Sequence, residues 1–305
     1  MKEGVLCVLT TYKRNNKVLR FLGQFKDGFE EFKDFFRIHI VDDDPNSTLS
    51  ELIDKNYSID VKYHKNDINL GQGPNAISHL KKNIDYEYIW IPGDDDLIVK
   101  DQFLEVLGAL RDIKPTAAVL EFRQGKNLQA GTFFGGNPRC EKNLDKTIEL
   151  LNRFGKCTSS VFRNPGEEFL EFLCEEMKYS MYQDKAMGLY SILQSYPNQN
   201  VYVHPVLTAT GDQEFGLLRY STRVFANLTL TSKKVLQFFN KETNRSLDVG
   251  HTKDRGALYW WFFGVKSTLR GKSEIKYEKN KLIRELLYGW FLAIYYELRG
   301  EFQRP

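Results

Sequence analysis

Four short β-branched runs near the start of the chain each stop on a polar or acidic cluster, and no other feature constrains the fold as tightly. Val5–Leu9 runs into Thr10-Thr11-Tyr12, and Arg37–Val41 into Asp42-Asp43-Asp44-Pro45-Asn46-Ser47. Ile59–Tyr63 is followed by a turn-rich stretch from Asn66 through Asn69-Leu70-Gly71-Gln72-Gly73 to Pro74, and Tyr86–Ile91 by Pro92-Gly93-Asp94-Asp95-Asp96. Runs of this length, rich in Val, Ile and aromatics, read as strands. Between and after them, Asn75–Asn83 and Asp101–Arg111 have helical spacing. Strand and helix in alternation predict an α/β domain with a largely parallel sheet and helices on both faces. Ligands of such sheets bind beyond the carboxyl ends of the strands, where this chain gathers its polar clusters.

The 305 residues suit one large domain or a domain with an appendage. With 43 Lys and Arg against 40 Asp and Glu, and 42% hydrophobic residues, a disordered chain and a strongly basic nucleic-acid wrapper are both excluded, so no nucleic-acid partner is expected. The 14% aromatic content leaves stacking, a sugar platform and plain packing open. Cys7, Cys140, Cys157 and Cys174 form no C-x-x-C pair and have no His at zinc-ligand spacing, so free thiols in a reducing cytoplasm are expected. His39 falls inside a strand, His64 at the end of one and His79 within a helix, and each reads as packed or solvent-facing.

The opening apolar stretch is too short for a secretory h-region. The longest uncharged apolar runs, Gly256–Val265 and Leu286–Tyr296, fall short of the ~20 residues of a spanning helix. A cytoplasmic protein is the expectation. Past residue 123 the alternation weakens: Gln124–Pro138 reads as a loop over the site, Thr158–Arg163 as a strand, and Tyr182–Leu193 as a helix carrying Gln183-Asp184-Lys185. From Lys253 onward there are 11 basic and 6 acidic residues, and Leu282, Leu286, Trp290, Ile294 and Leu298 mark one broad helix face. With Tyr259-Trp260-Trp261-Phe262-Phe263, this predicts a basic, aromatic helical extension over 221–305. It would serve peripheral contact with an anionic membrane at the inner face of the cell membrane, or pack as core or as the interface of a homo-oligomer.

Carboxylates crowded at a strand end repel one another unless compensated. Asp94, Asp95 and Asp96 read either as oxygen ligands for Mg²⁺ or Mn²⁺ beside a diphosphate, or as a solvated acidic turn opening the helix at Lys100. Asp42-Asp43-Asp44 alone is a turn signal; beside the other clusters it becomes a candidate for holding a base or ribose. Gly71-Gln72-Gly73 is neither a Walker A loop nor a dinucleotide fingerprint.

Taken together, Val8–Arg14, Ile40-Val41-Asp42-Asp43, Asn69-Leu70-Gly71 and Trp90–Asp96 resemble, in order and spacing, the inverting glycosyltransferases of family 2. Thr158–Arg163 and Gln183-Asp184 are similar to that family's later acceptor-side segments. The resemblance implies a GT-A (Rossmann-like) nucleotide-diphospho-sugar transferase fold, with a catalytic domain over 1–220. It implies a nucleotide-sugar surface made of Thr10, Thr11, Tyr12, Arg14, Asp42, Asp43, Asn69, Gly71, Asp94 and Asp95. Mn²⁺ or Mg²⁺ on Asp94, Asp95 and Asp96, and Asp184 as general base, are likewise implied. The sequence departs from the family in having Gly93 where an aspartate often opens the acidic motif, and Gln183 where Glu is common. The activity implied is metal-dependent transfer from a UDP-sugar to a glycan or lipid-linked glycan in surface polysaccharide synthesis. A sugar nucleotidyltransferase and a catalytically silent glycan-binding assembly subunit are the alternatives.

Overall fold

The computed structural model describes residues 2–53, 56–124, 137–153, 157–178, 180, 183–211, 217–247 and 290–291. In chain order the elements are β1 (Lys2–Thr11), α1 (Asn15–Gly23), β2 (Phe36–Asp42), α2 (Leu49–Leu52), β3 (Asp60–Lys65), α3 (Gln72–Lys82), β4 (Tyr86–Trp90), β5 (Asp96–Ile98) and α4 (Lys100–Asp112). They continue with β6 (Ala117–Gln124), β7 (Arg139–Glu141), α5 (Leu144–Arg153), β8 (Ser160–Arg163), α6 (Glu167–Glu176), α7 (Gln183–Gln194), β9 (Val201–Gly211) and α8 (Leu217–Thr243). Residues 125–136, the greater part of the loop expected over Gln124–Pro138, lie outside the described set. So does the basic, aromatic C-terminal stretch apart from Trp290 and Phe291, which are helical and exposed.

One mixed sheet runs β3-β2-β1-β4-β8-β6-β9-β5, with β7 paired to β9. Its first four strands are parallel, as the sequence pattern predicts. β8 then runs antiparallel to both β4 and β6, and β5 antiparallel to β9. β1 lies inside the parallel half, and every residue from Gly4 to Thr11 is buried. A strand covered on both faces loses the polar alternation of a half-exposed one, which is why Val5–Leu9 reads as a continuous apolar run.

On one face, Val5, Cys7 and Leu9 join Val18, Phe21 and Leu22 of α1 and Phe103, Val106, Leu107 and Leu110 of α4 in a single core. Leu6 and Val8, directed oppositely by the period-2 pleat, are buried as well. The aromatic excess resolves here as packing: Trp90 and Phe103 lie 4.7 Å apart, Phe25 and Phe29 4.9 Å, and Phe21 and Phe25 5.3 Å between ring centroids. Each such ring removed from water contributes about 1.5–3 kcal/mol.

The chain divides into two compact units: residues 1–178 with 187–213, and 179–186 with 214–305. The first holds the whole sheet. In the second, α8 buries Val235 and Phe239, and Ser180 Oγ lies 2.9 Å from Thr231 Oγ1. Among the described residues, no helix is long and apolar enough to cross a membrane.

Candidate functional site

The parallel pairing of β1 with β2 and β4 brings the ends of three acidic or polar clusters to one sheet edge. After β4, Gly93–Asp96 turns the chain, closed by the Asp96 N–H donating to the Gly93 carbonyl at 3.2 Å. The turn is built on glycine because a Cβ at Gly93 would stand 2.8 Å from Asp96 Oδ2 and 3.1 Å from Asp95 Oδ1. The carboxylates of Asp95 and Asp96 therefore fold back over a backbone that has no side chain. Asp94, Asp95 and Asp96 are only 5%, 5% and 1% exposed, so the bland reading as a solvated acidic turn does not hold.

What compensates this buried charge comes from β1 and α1. Thr11 Oγ1 donates to Asp94 Oδ2 at 2.9 Å, and Arg14 Nη1 to Asp94 Oδ1 at 2.9 Å. Lys17 Nζ stands 3.2 Å from Asp95 Oδ2, and Arg20 Nη2 donates to the Asp95 carbonyl at 3.0 Å. Gln24 closes the row: its Nε2 donates to the Asp96 carbonyl at 3.4 Å, and its Oε1 accepts from the Ile98 N–H at 2.6 Å. While Val18, Phe21 and Leu22 face the core, Lys17, Arg20 and Gln24 meet the acidic turn. Sequence reasoning stopped at Arg14. The signal it missed is the basic spacing Arg14, Lys17, Arg20, which the helical period places on one side of α1.

The carboxylates are not equivalent. Asp94 is engaged at both oxygens by Thr11 and Arg14. Asp96 is tied inward through a hydrogen bond from Thr158 Oγ1, whose oxygen also accepts from the Gly93 N–H at 3.0 Å. Trp90 Nε1 donates to the Thr158 carbonyl at 3.1 Å, so the strand end, the turn and Thr158 form one connected unit. Asp95 faces counterions that are themselves partly exposed, at 37% for the Lys17 side chain and 47% for that of Arg14. All the donors are hard oxygens, a set that fits Mg²⁺ or Mn²⁺.

At the end of β2 the two carboxylates have separate tasks. Asp42, wholly buried, accepts from the Asp44 N–H at 3.0 Å and from Tyr63 Oη at 3.0 Å. Burial, with the Asp42 charge beside it, pushes the Tyr63 phenol up to about 12. Asp43 holds the following loop: it accepts from Asn66 Nδ2 at 2.8 Å, from the Leu70 N–H at 3.1 Å and from the Gly71 N–H at 2.7 Å. Asn69 Oδ1 reaches the same Gly71 N–H at 2.9 Å. Gly71 has φ 82° and ψ 155°, a conformation in practice restricted to glycine. Asp43→Ala is expected to lower stability by roughly 1–3 kcal/mol through the donors it strands. Urea denaturation measures it, and an unchanged midpoint would show that the loop does not depend on this carboxylate.

Thr10 is buried, its Oγ1 having no hydrogen-bond partner among the described residues, and Tyr12 is 43% exposed with Lys13 Nζ 5.1 Å from its ring centre. Asp184 belongs to the second unit. It lies in the first turn of α7, 8% exposed, with Oδ2 unpartnered among the described residues. Burial raises its pKa above the ordinary carboxylate value, against the opposing pull of Lys185 and nearby backbone N–H groups.

No protein-family profile matches the sequence, and no curated protein matches it. Solved structures do. S. aureus TarS residues 1–349 superimposes with TM-score 0.56 at 14% identity, over 94% of this chain and 80% of that one. The same protein in complex with UDP-GlcNAc gives 0.54 at 13% identity, over 94% and 79%. A mannosyltransferase from Pyrobaculum calidifontis, solved with GDP-Man and Mn²⁺, gives 0.54 at 11% identity, over 98% and 88%. The chain thus has the GT-A fold of nucleotide-sugar glycosyltransferases. At these identities the shared property is the fold.

Proposed function

We propose that the protein is an inverting, metal-dependent glycosyltransferase that moves a sugar from a nucleotide diphosphate, UDP by preference, to a glycan or lipid-linked glycan acceptor. The observation that carries this reading is the buried Asp94-Asp95-Asp96 turn held against the half-exposed cations Arg14 and Lys17 at the carboxyl end of β4. Cations already gathered at a strand end, with side chains 47% and 37% exposed, can turn to an incoming diphosphate without being recruited from bulk water. The GT-A fold and the nucleotide-sugar complexes of its structural neighbours support the same assignment.

In this reading residues 1–220 form the catalytic domain and 221–305 an extension. Thr10, Thr11, Tyr12 and Asp42 line the base and ribose, and the loop fixed by Asp43, Asn69 and Gly71 completes the wall. Asp95 is the principal ligand for Mn²⁺ or Mg²⁺, with Asp94 and Asp96 shaping the turn around it. When bound, the cation supplies charge neutralisation for the departing diphosphate. Asp184 takes the proton of the acceptor hydroxyl as its oxygen forms the bond to the anomeric carbon. The bond from that carbon to the diphosphate oxygen breaks with its electron pair leaving on the nucleotide, and a single displacement inverts the centre.

Thermal unfolding with UDP, GDP, CDP and ADP, each with and without Mn²⁺, tests the donor site. A ligand at ~100 times its dissociation constant stabilises by about 2.7 kcal/mol, so one nucleotide is expected to raise Tm and to need the metal. Transfer assays with that nucleotide's sugars follow. Failure of every nucleotide to shift Tm would overturn the donor site and favour a glycan-binding subunit.

A further inference from the structure

Away from the acidic turn, three histidines from three elements converge: His39 on β2, His64 on β3 and His79 on α3. Their ring centroids lie 4.6 to 5.3 Å apart, and one nitrogen from each falls within 4.8 Å of the others. His39 and His79 are buried at 2% and 6% exposure, while His64 is exposed and opens the group to solvent. We propose that His39, His64 and His79 form a binding site for one divalent transition-metal ion, Zn²⁺ by preference, distinct from the carboxylate turn. This proposal stands apart from the glycosyltransferase reading and does not depend on it.

Without an ion, hydrogen bonds link the rings to one another. Asn83 Nδ2 donates to the His79 carbonyl at 2.9 Å, which fixes the amide, and the same nitrogen lies 3.2 Å from His79 Nε2. An amide NH₂ only donates, so His79 Nε2 is an acceptor. The 2.9 Å contact between His39 Nδ1 and His79 Nε2 then requires the proton on His39 Nδ1. His39 Nε2 has no hydrogen-bond partner among the described residues, a buried polar atom whose isolation costs stability, and it is the atom that would carry the His39 proton if Nδ1 took an ion.

Distances and chemistry select the ion. Nitrogens on a tetrahedral Zn²⁺ stand roughly 3.3 Å apart, from Zn–N bonds of about 2.0–2.1 Å. To act as ligands, His39 Nδ1 and His79 Nε2 would open their 2.9 Å contact to that spacing, with the Nδ1 proton passing to His39 Nε2, and the three nitrogens would draw together from within 4.8 Å. The cleft beside the group, about 550 Å³, is lined by His64 and His79 with Lys65, Asn66, Ser78 and Lys82, and among the described residues no carboxylate lines it. Without oxygen anions the site rejects Ca²⁺ and Mg²⁺ and suits an imidazole-binding metal with solvent as a fourth ligand. Because β3 is the sheet edge and α3 follows directly on the Asn69–Gly71 loop, such an ion would clamp both to β2.

The full chain, without a histidine tag and stripped by chelator, is titrated with Zn²⁺ and, in parallel, with Co²⁺. One Zn²⁺ per chain, a Co²⁺ visible spectrum of tetrahedral intensity that excess Mg²⁺ does not displace, and a raised Tm reversed by chelator are expected. His64→Ala, at an exposed position and checked for folding by circular dichroism, should weaken binding by more than about 100-fold, since removal of even an outer-shell partner costs 10–100-fold. Absence of stoichiometric Zn²⁺, displacement of Co²⁺ by Mg²⁺, or undiminished affinity in His64→Ala would overturn the site and leave a hydrogen-bonded histidine pair.

Discussion

Asp184→Asn is expected to lower kcat by about 10²–10⁴-fold, the usual contribution of a positioned general base, while Tm stays level or rises. The two halves of this result have one cause. Asp184 is 8% exposed, and burial raises its carboxyl above the ordinary aspartate value of 3.8. A carboxyl whose folded pKa exceeds its unfolded one binds protons more readily in the native state, so ionising it opposes folding. That cost grows as pH rises from 3.8 through the folded pKa and is fully present above it. Asparagine keeps the shape and the acceptor oxygen, never ionises, and so escapes the cost. A purely structural aspartate would give the opposite pattern, lost stability with intact turnover. The same shift sets the pH profile. In the proposed reaction Asp184 is deprotonated when it accepts the acceptor's proton, so the acid limb of kcat/KM should lie above the ordinary carboxylate range and vanish in Asp184→Asn. A variant that retains most of the wild-type rate would remove Asp184 from the chemistry.

The parallel half of the sheet was legible because Val5–Leu9, in a strand buried on both faces, is an unbroken apolar run, and because Arg37–Val41 and Tyr86–Ile91 keep β-branched and aromatic residues interrupted only by Arg37, His39 and Glu87. Helix α3, observed at Gln72–Lys82 against the expected 75–83, and α4, at Lys100–Asp112 against 101–111, carry the same local periodicity. The mixed half lacked such a signal. β5 is three residues long, begins on Asp96 and exists by pairing with Thr210 and its neighbours, more than a hundred residues away in sequence. No local pattern encodes a partner at that distance. The site was legible as clusters and opaque as roles: the sequence places Asp42 and Asp43 side by side, but their division between Tyr63 and the Leu70–Gly71 loop depends on β2–β3 register. The histidines show the same limit. Each has an ordinary reading alone, and only the pairing of His39 with Lys62 and of Val41 with His64, with α3 laid beside β2, brings the rings together.

The second large effect should separate the three aspartates. Asp95→Asn is expected to abolish the Mn²⁺ dependence of nucleotide binding and to slow transfer by about 10²–10³-fold, comparable to removing one charge-stabilising group from an active site. Its counterions decide this. Lys17 stands 3.2 Å and Arg14 4.0 Å from Asp95 Oδ2, and with side chains 37% and 47% exposed either can yield its place to a divalent ion and turn to the diphosphate. Asp96 is different, because its partner Thr158 is fully buried and also holds the Gly93 N–H. Asparagine at 96 can still accept from Thr158, so Asp96→Asn should retain most of the metal-dependent Tm shift. Titrating both variants with the responding nucleotide, with and without Mn²⁺, reads the difference directly. Retained metal dependence in Asp95→Asn together with its loss in Asp96→Asn would move the ion from the solvent side of the turn to the Thr158 side, and Arg14 and Lys17 would then be permanent partners of the acidic turn rather than ligands for the diphosphate.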